Sequence, residues 1–135
     1  MGQNKIRKTL YFSLTIYVLL ILTFFVPTFF IDAGPYFPIV AILSLLFLLT
    51  GFYLFFLAHK SHKQYRKYLL ITAFFSVAPL LFAVLHNLFY ALGILIPYLS
   101  IIFEFVSGIT LIISVLISPV AFPIIAIITL KKINK

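Results

Sequence analysis

No cysteine occurs in the chain, which excludes disulfides, thiolate metal centres, thiol redox chemistry and a lipid-modified cysteine anchor. Acidic residues are almost as scarce, with Asp32 and Glu104 the only two in 135 residues. No nucleophile–base set, phosphate-cradling glycine loop or metal-ligand cluster can be assembled from what remains, so the chain is not expected to be an enzyme or to hold a cofactor. Charged residues make up 9% of the total. A soluble domain of this size would need far more polar surface to cover its interior.

What is present is apolar length. Hydrophobic residues form 64% of the chain, gathered into the uncharged runs Thr9–Ile31, Ala33–Ala58, Tyr68–Phe103 and Phe105–Leu130. Each exceeds the roughly 20 residues that cross a hydrocarbon core about 30 Å thick. The expected fold is therefore all-α: a polytopic integral membrane protein with four transmembrane helices in an antiparallel bundle. One membrane domain, 1–135, is expected, with spans at about 10–30, 36–58, 69–92 and 98–130. The last would measure about 48 Å of helix, with the excess absorbed by tilt, by an interfacial start near Tyr98, or by a break at Pro119 and Pro123. Thr9–Ile31 is longer than a signal-peptide core and Ile31-Asp32-Ala33 is a poor cleavage site, so the first span is expected to be retained. Ile6 stands where a myristoylation signal requires Ser or Thr. Pro27 falls near the outer end of the first span, and Asp32-Ala33-Gly34-Pro35 has the chemistry of a turn.

The net charge of +8 comes from ten cations in three clusters. These are Lys5, Arg7 and Lys8; Lys60, Lys63, Arg66 and Lys67; and Lys131, Lys132 and Lys135. Each cluster flanks an apolar run, the pattern of anchors facing anionic headgroups. Nucleic acid is not an expected partner, because no folded polar surface exists to present the charges. An even number of spans puts all ten cations on one side and Asp32 on the other. By the positive-inside rule both termini and the His59–Tyr68 loop are expected in the cytoplasm, with the chain in the cell membrane and the bilayer as its first partner.

Small and polar residues mark the faces expected to meet. Ser44, Gly51 and Ala58 recur every seven residues on the second span, a stripe that admits a neighbouring helix. On the third span Thr72, Ser76, Pro79, Ala83, His86, Tyr90 and Gly93 share one broad face, with Asn87 at its edge. On the fourth, Ser100, Glu104, Ser107, Ser114, Ser118 and Ala121 do the same. His86 lies six residues before Leu92 and Glu104 six after Tyr98, so the two are expected at one depth in the outer leaflet. Three readings stand: a structural polar pair that sets the register of the hairpin, no pair because Glu104 sits in wet headgroups, or a functional carboxylate surrounded by His86, Asn87, Tyr90 and Ser107. His59 and His62 are three apart but lack a third ligand, and a solvated loop is the expected state. His86 has no second intramembrane histidine with which to ligate haem.

In size and span number the chain is similar to the small multidrug-resistance transporters. It departs from them at their hallmark, a membrane-embedded Glu in the first span, which carries no charge here. The four-span quinone reductases that use cysteine pairs are excluded by the missing cysteine. The expected function is an accessory or interaction component of the membrane, self-associated or bound to another membrane protein. The alternative is a small oligomeric transporter or channel, proton- or solute-coupled, using Glu104 and His86.

Overall fold

Inside a bilayer each backbone N–H and C=O must find its partner within the protein, and a long uncharged run does this by becoming helix. The computed structural model describes the backbone of residues 3–30 and 37–134, and the side chains of 3–23 and 38–134. The helices are α1 (Gln3–Phe30), α2 (Phe37–His59), α3 (Lys63–Leu95), α4 (Ser100–Ile112) and α5 (Ser118–Ile133). A 3-10 turn, Pro97–Leu99, precedes α4, and a π-helical segment, Ile113–Ile117, joins it to α5. The fold is all-α, with four rods long and apolar enough to cross a membrane, the last running Pro97–Ile133. Asp32-Ala33-Gly34-Pro35, the start of the second span at Tyr36, and Lys135 lie outside the described residues.

The helices overrun the expected spans, chiefly at the basic end. α1 begins at Gln3 and α3 at Lys63, so the cations of the N-terminal arm and Lys63, Arg66 and Lys67 of the expected loop are already helical, while Lys60 stays in the turn. Lys and Arg are good helix formers, and hydropathy locates the lipid boundary, not the last hydrogen-bonded turn. At the other end α3 continues three residues past Leu92, and Gly93 lies within it.

Expected breaks at Pro119 and Pro123 are replaced by one widened turn. Ser118 N–H donates to Ile113 O, five residues back, immediately before Pro119. The π turn makes room ahead of a proline ring that would collide with an α-helical carbonyl. Pro123 provides no N–H for Pro119 O, and the Tyr17 hydroxyl donates to that carbonyl at 2.6 Å. A donor from α1 thus replaces the hydrogen bond that Pro123 removes.

α3 is the central rod. It packs along α2 on one side and along α4, the π segment and α5 on the other, while α1 packs on α2 and meets α5. Two apolar clusters hold this arrangement. One, near the cations, contains Ile6, Leu10, Leu54, Leu57, Leu69 and Leu130; the other, deeper, contains Ile16, Phe47, Phe122 and Ala126. Phe47 and Phe122 meet edge to face at 4.8 Å between centroids, with Tyr17 tilted against both. At Gly51 α2 and α3 pack closely. A Cβ there would stand 2.8 Å from Val77 Cγ2 and 2.9 Å from Ser76 Oγ, so any larger residue forces Val77, Ser76 or α3 itself to shift.

Candidate intramembrane polar site

α3 and α4 run antiparallel from a tight connection at Ile96 and Pro97, and the register follows from that pivot. Gly93 faces Ser100 and Phe103, Phe89 stacks on Phe103 at 6.3 Å, and His86 meets Ser107. Two turns farther along each helix, Ser114 Oγ donates to Pro79 O at 2.7 Å. Beyond the π segment the step changes, and Thr72 meets Thr129 at 3.0 Å.

His86 is half-buried and Ser107 is buried. Two proton arrangements satisfy the pair. With the proton on Nδ1, the ring donates to Ser107 O at 3.0 Å while the Ser107 hydroxyl donates to His86 O at 3.3 Å. With Nδ1 bare, the hydroxyl donates to it at 2.7 Å. Either way the imidazole is fixed by α4, and Tyr90 stacks against it at 6.4 Å.

Glu104 is not part of this contact. It is exposed, and among the described residues no hydrogen bond or ion pair reaches its carboxylate. The expectation that put His86 and Glu104 at one level took α3 to end at Leu92. The helix goes on to Leu95, and the partner of His86 moves three residues along α4, from Glu104 to Ser107. Three residues also rotate a helix position by about 60° the other way round, which carries Glu104 off the α3 interface. Asn87 is exposed too. Of the five candidate residues, the structure brings together His86, Tyr90 and Ser107 and leaves Asn87 and Glu104 on the surface.

That surface has a definite side. With His86 and Ser107 facing each other, helix geometry places Asn87 about 100° and Tyr90 about 40° round α3 from the contact, and Glu104 about 60° round α4. Because the helices are antiparallel, these rotations lead to the same flank. Phe89 and Phe103 fall on the opposite flank by the same construction, in agreement with their stacking. The flank carrying Asn87, Tyr90 and Glu104 is the one on which α2 packs farther down α3, through Ser76 and Val77.

Several of the other buried polar groups bridge separate interfaces, while Thr110 Oγ1 donates to Ser107 O of its own helix. Ser13 and Thr50 meet at 3.2 Å between α1 and α2, and Ser76 Oγ donates to Phe47 O at 3.1 Å between α3 and α2. Ser118 Oγ is buried without a partner among the described residues. Tyr17 and these hydroxyl pairs were not visible as site residues in the sequence, although a carbonyl freed by Pro123 is a legible request for a donor.

At the basic end, Gln3 Nε2 donates to Tyr65 OH at 3.2 Å. Lys5, Lys60 and Lys132 lie over the rings of Tyr53, Phe56 and Tyr68 at 5.8, 4.2 and 5.8 Å. His59 Nδ1 lies 3.0 Å from Phe55 O of its own helix, within donating distance. Among the described residues no three His, Asp or Glu side chains converge.

No protein-family profile, curated protein or solved structure matches the chain.

Proposed function

We propose that this small multi-span membrane protein is a non-catalytic accessory or interaction component of the cell membrane, with its basic end in the cytoplasm. The observation that carries the reading is the position of Glu104: a carboxylate in an apolar helix, turned outward beside Ile101 and Phe105, which are 83% and 70% exposed. Turned outward with no partner among the described residues, that carboxylate is free to meet a group outside this chain. The separation of Glu104 from His86, and the use of buried hydroxyls in isolated pairs, supports docking over a polar path through the bundle.

Two measurements test this. Tagged protein drawn from its own membranes in mild detergent is expected to elute as one copy with a stoichiometric membrane partner. A bare monomer overturns the accessory role, and a homo-oligomer that conducts protons or solute in vesicles establishes the transporter in its place. For sidedness, Ser61→Cys and Gly34→Cys in this cysteine-free chain are expected to react from opposite sides with an impermeant thiol reagent. Labelling of Ser61→Cys in intact cells inverts the topology.

A further inference from the structure

Resting on the accessory reading, we propose that the Asn87–Tyr90–Glu104 flank of the α3–α4 hairpin docks a transmembrane helix of another protein. That helix carries a lysine or arginine near the membrane boundary remote from this chain's own cations. Three observations lead to that partner.

The first is the chemistry of the flank. Glu104 presents a carboxylate without a partner among the described residues, with the exposed Asn87 amide and Tyr90 ring on the same side of the hairpin. Tyr90 rests on an imidazole that Ser107 holds in place. The surface is thus an exposed acceptor flanked by side chains that both donate and accept, suited to a guanidinium or ammonium group.

The second is that no described cation of this chain reaches the flank. The nine described Lys and Arg residues all lie at the opposite end of the helices. Even Lys67, the last cation of α3, is about 34 Å of helix from Tyr90. A second copy inserted the same way would bring Glu104 toward Glu104, a like-charge contact, so self-docking does not satisfy the flank.

The third is length. From the cations outward α2 extends about 34 Å, whereas the uncharged part of α3, Tyr68–Leu95, extends about 42 Å and Pro97–Leu130 about 51 Å. Past the described length of α2 the hairpin exposes apolar side chains, among them Leu95, Tyr98, Ile101 and Phe105. Among the described residues α4 packs chiefly on α3 and on the segments that flank it.

The test uses the full chain in phosphatidylcholine vesicles and a polyleucine transmembrane peptide of about 24 residues. The peptide carries one arginine about a turn inside either end or at its centre, or no arginine; energy transfer reports association. The peptide with arginine at the matching boundary is expected to associate roughly three- to fifteenfold more tightly than all-leucine, the range of intramembrane polar contacts. Glu104→Gln is expected to abolish that preference, with Glu104→Asp retaining part of it and thermal stability unchanged in both. Equal binding of the arginine and leucine peptides overturns the proposal, as does a preference that survives Glu104→Gln or energy transfer between copies of the chain that the peptide cannot displace. A native partner recovered stoichiometrically but indifferent to Glu104→Gln would leave the accessory role standing and remove this surface.

Discussion

The two ends of the bundle are made of the same residues packed in different ways. At the basic end Leu10, Leu54, Leu57 and Leu69 are fully buried among four helices. At the other end Leu95, Tyr98, Ile101 and Phe105 are 70–85% exposed on a hairpin of two. In water the second arrangement would be penalised; in lipid it is not, because acyl chains are as apolar as leucine. What separates the ends is therefore not hydrophobicity. Where four helices meet, there is a glycine that permits contact, a hydroxyl pair between α1 and α2, and a tyrosine that replaces a hydrogen bond lost to proline. Where α3 and α4 meet, the Gly93 contact, the His86–Ser107 pair and the Phe89–Phe103 stack hold the register.

Breaking the close approach is expected to have the largest effect. Gly51→Leu would drive α3 from α2 and cost about 1–3 kcal/mol or more, seen as a lower Tm in detergent. Phe52→Leu, with its side chain 55% exposed, is expected to leave Tm nearly unchanged. Equal losses at the two positions would erase the distinction between packed and lipid-facing sides of α2.

Next comes the tie from α1 to α5. Tyr17→Phe leaves Pro119 O without its donor and is expected to cost about 1–3 kcal/mol. Pro123→Ala restores the missing N–H, so Tyr17→Phe is expected to cost less in that background. A double-mutant cycle measures the difference; full additivity would show that the hydroxyl is not serving the freed carbonyl.

The open end is expected to respond more weakly. His86→Leu and Ser107→Ala are expected to couple by about 0.6–1.7 kcal/mol, whereas His86→Leu and Glu104→Leu are expected to add. Coupling of His86 to Glu104 and not to Ser107 would mean that the hairpin register is three residues shorter than described. Smallest of all, Glu104→Gln is expected to shift stability by no more than about 0.5 kcal/mol, as for an exposed substitution away from packing. A larger loss in the isolated chain would place the carboxylate in a contact of its own bundle.

Much of the fold was legible. Four uncharged runs require four helices, because a backbone in lipid has no other way to pair its polar groups. Cations beside alternate run ends put those ends together, as Gln3 with Tyr65 and Lys132 over Tyr68 now show. The spacing of Ser44, Gly51 and Ala58 marked the contact face of α2, where Gly51 and Ala58 are buried. His86 and Ser107 were also legible as interface residues, each from its place on a polar stripe.

The sequence by itself thus determined the number of rods, their relative direction and which residues have reason to avoid lipid. Only the tertiary structure decided which of those residues meet. His86 finds Ser107 and not Glu104 because α3 runs on to Leu95, a difference of less than one helical turn that hydropathy does not register. Tyr17 finds Pro119 because α1 and α5 approach each other, although nothing in either segment names the other. The physical reason is common to both cases. Apolar side chains gain almost nothing by choosing protein over lipid, so composition leaves each rod free to turn about its axis, and that rotation is set by short-range fit and hydrogen bonds that exist only once the helices are side by side.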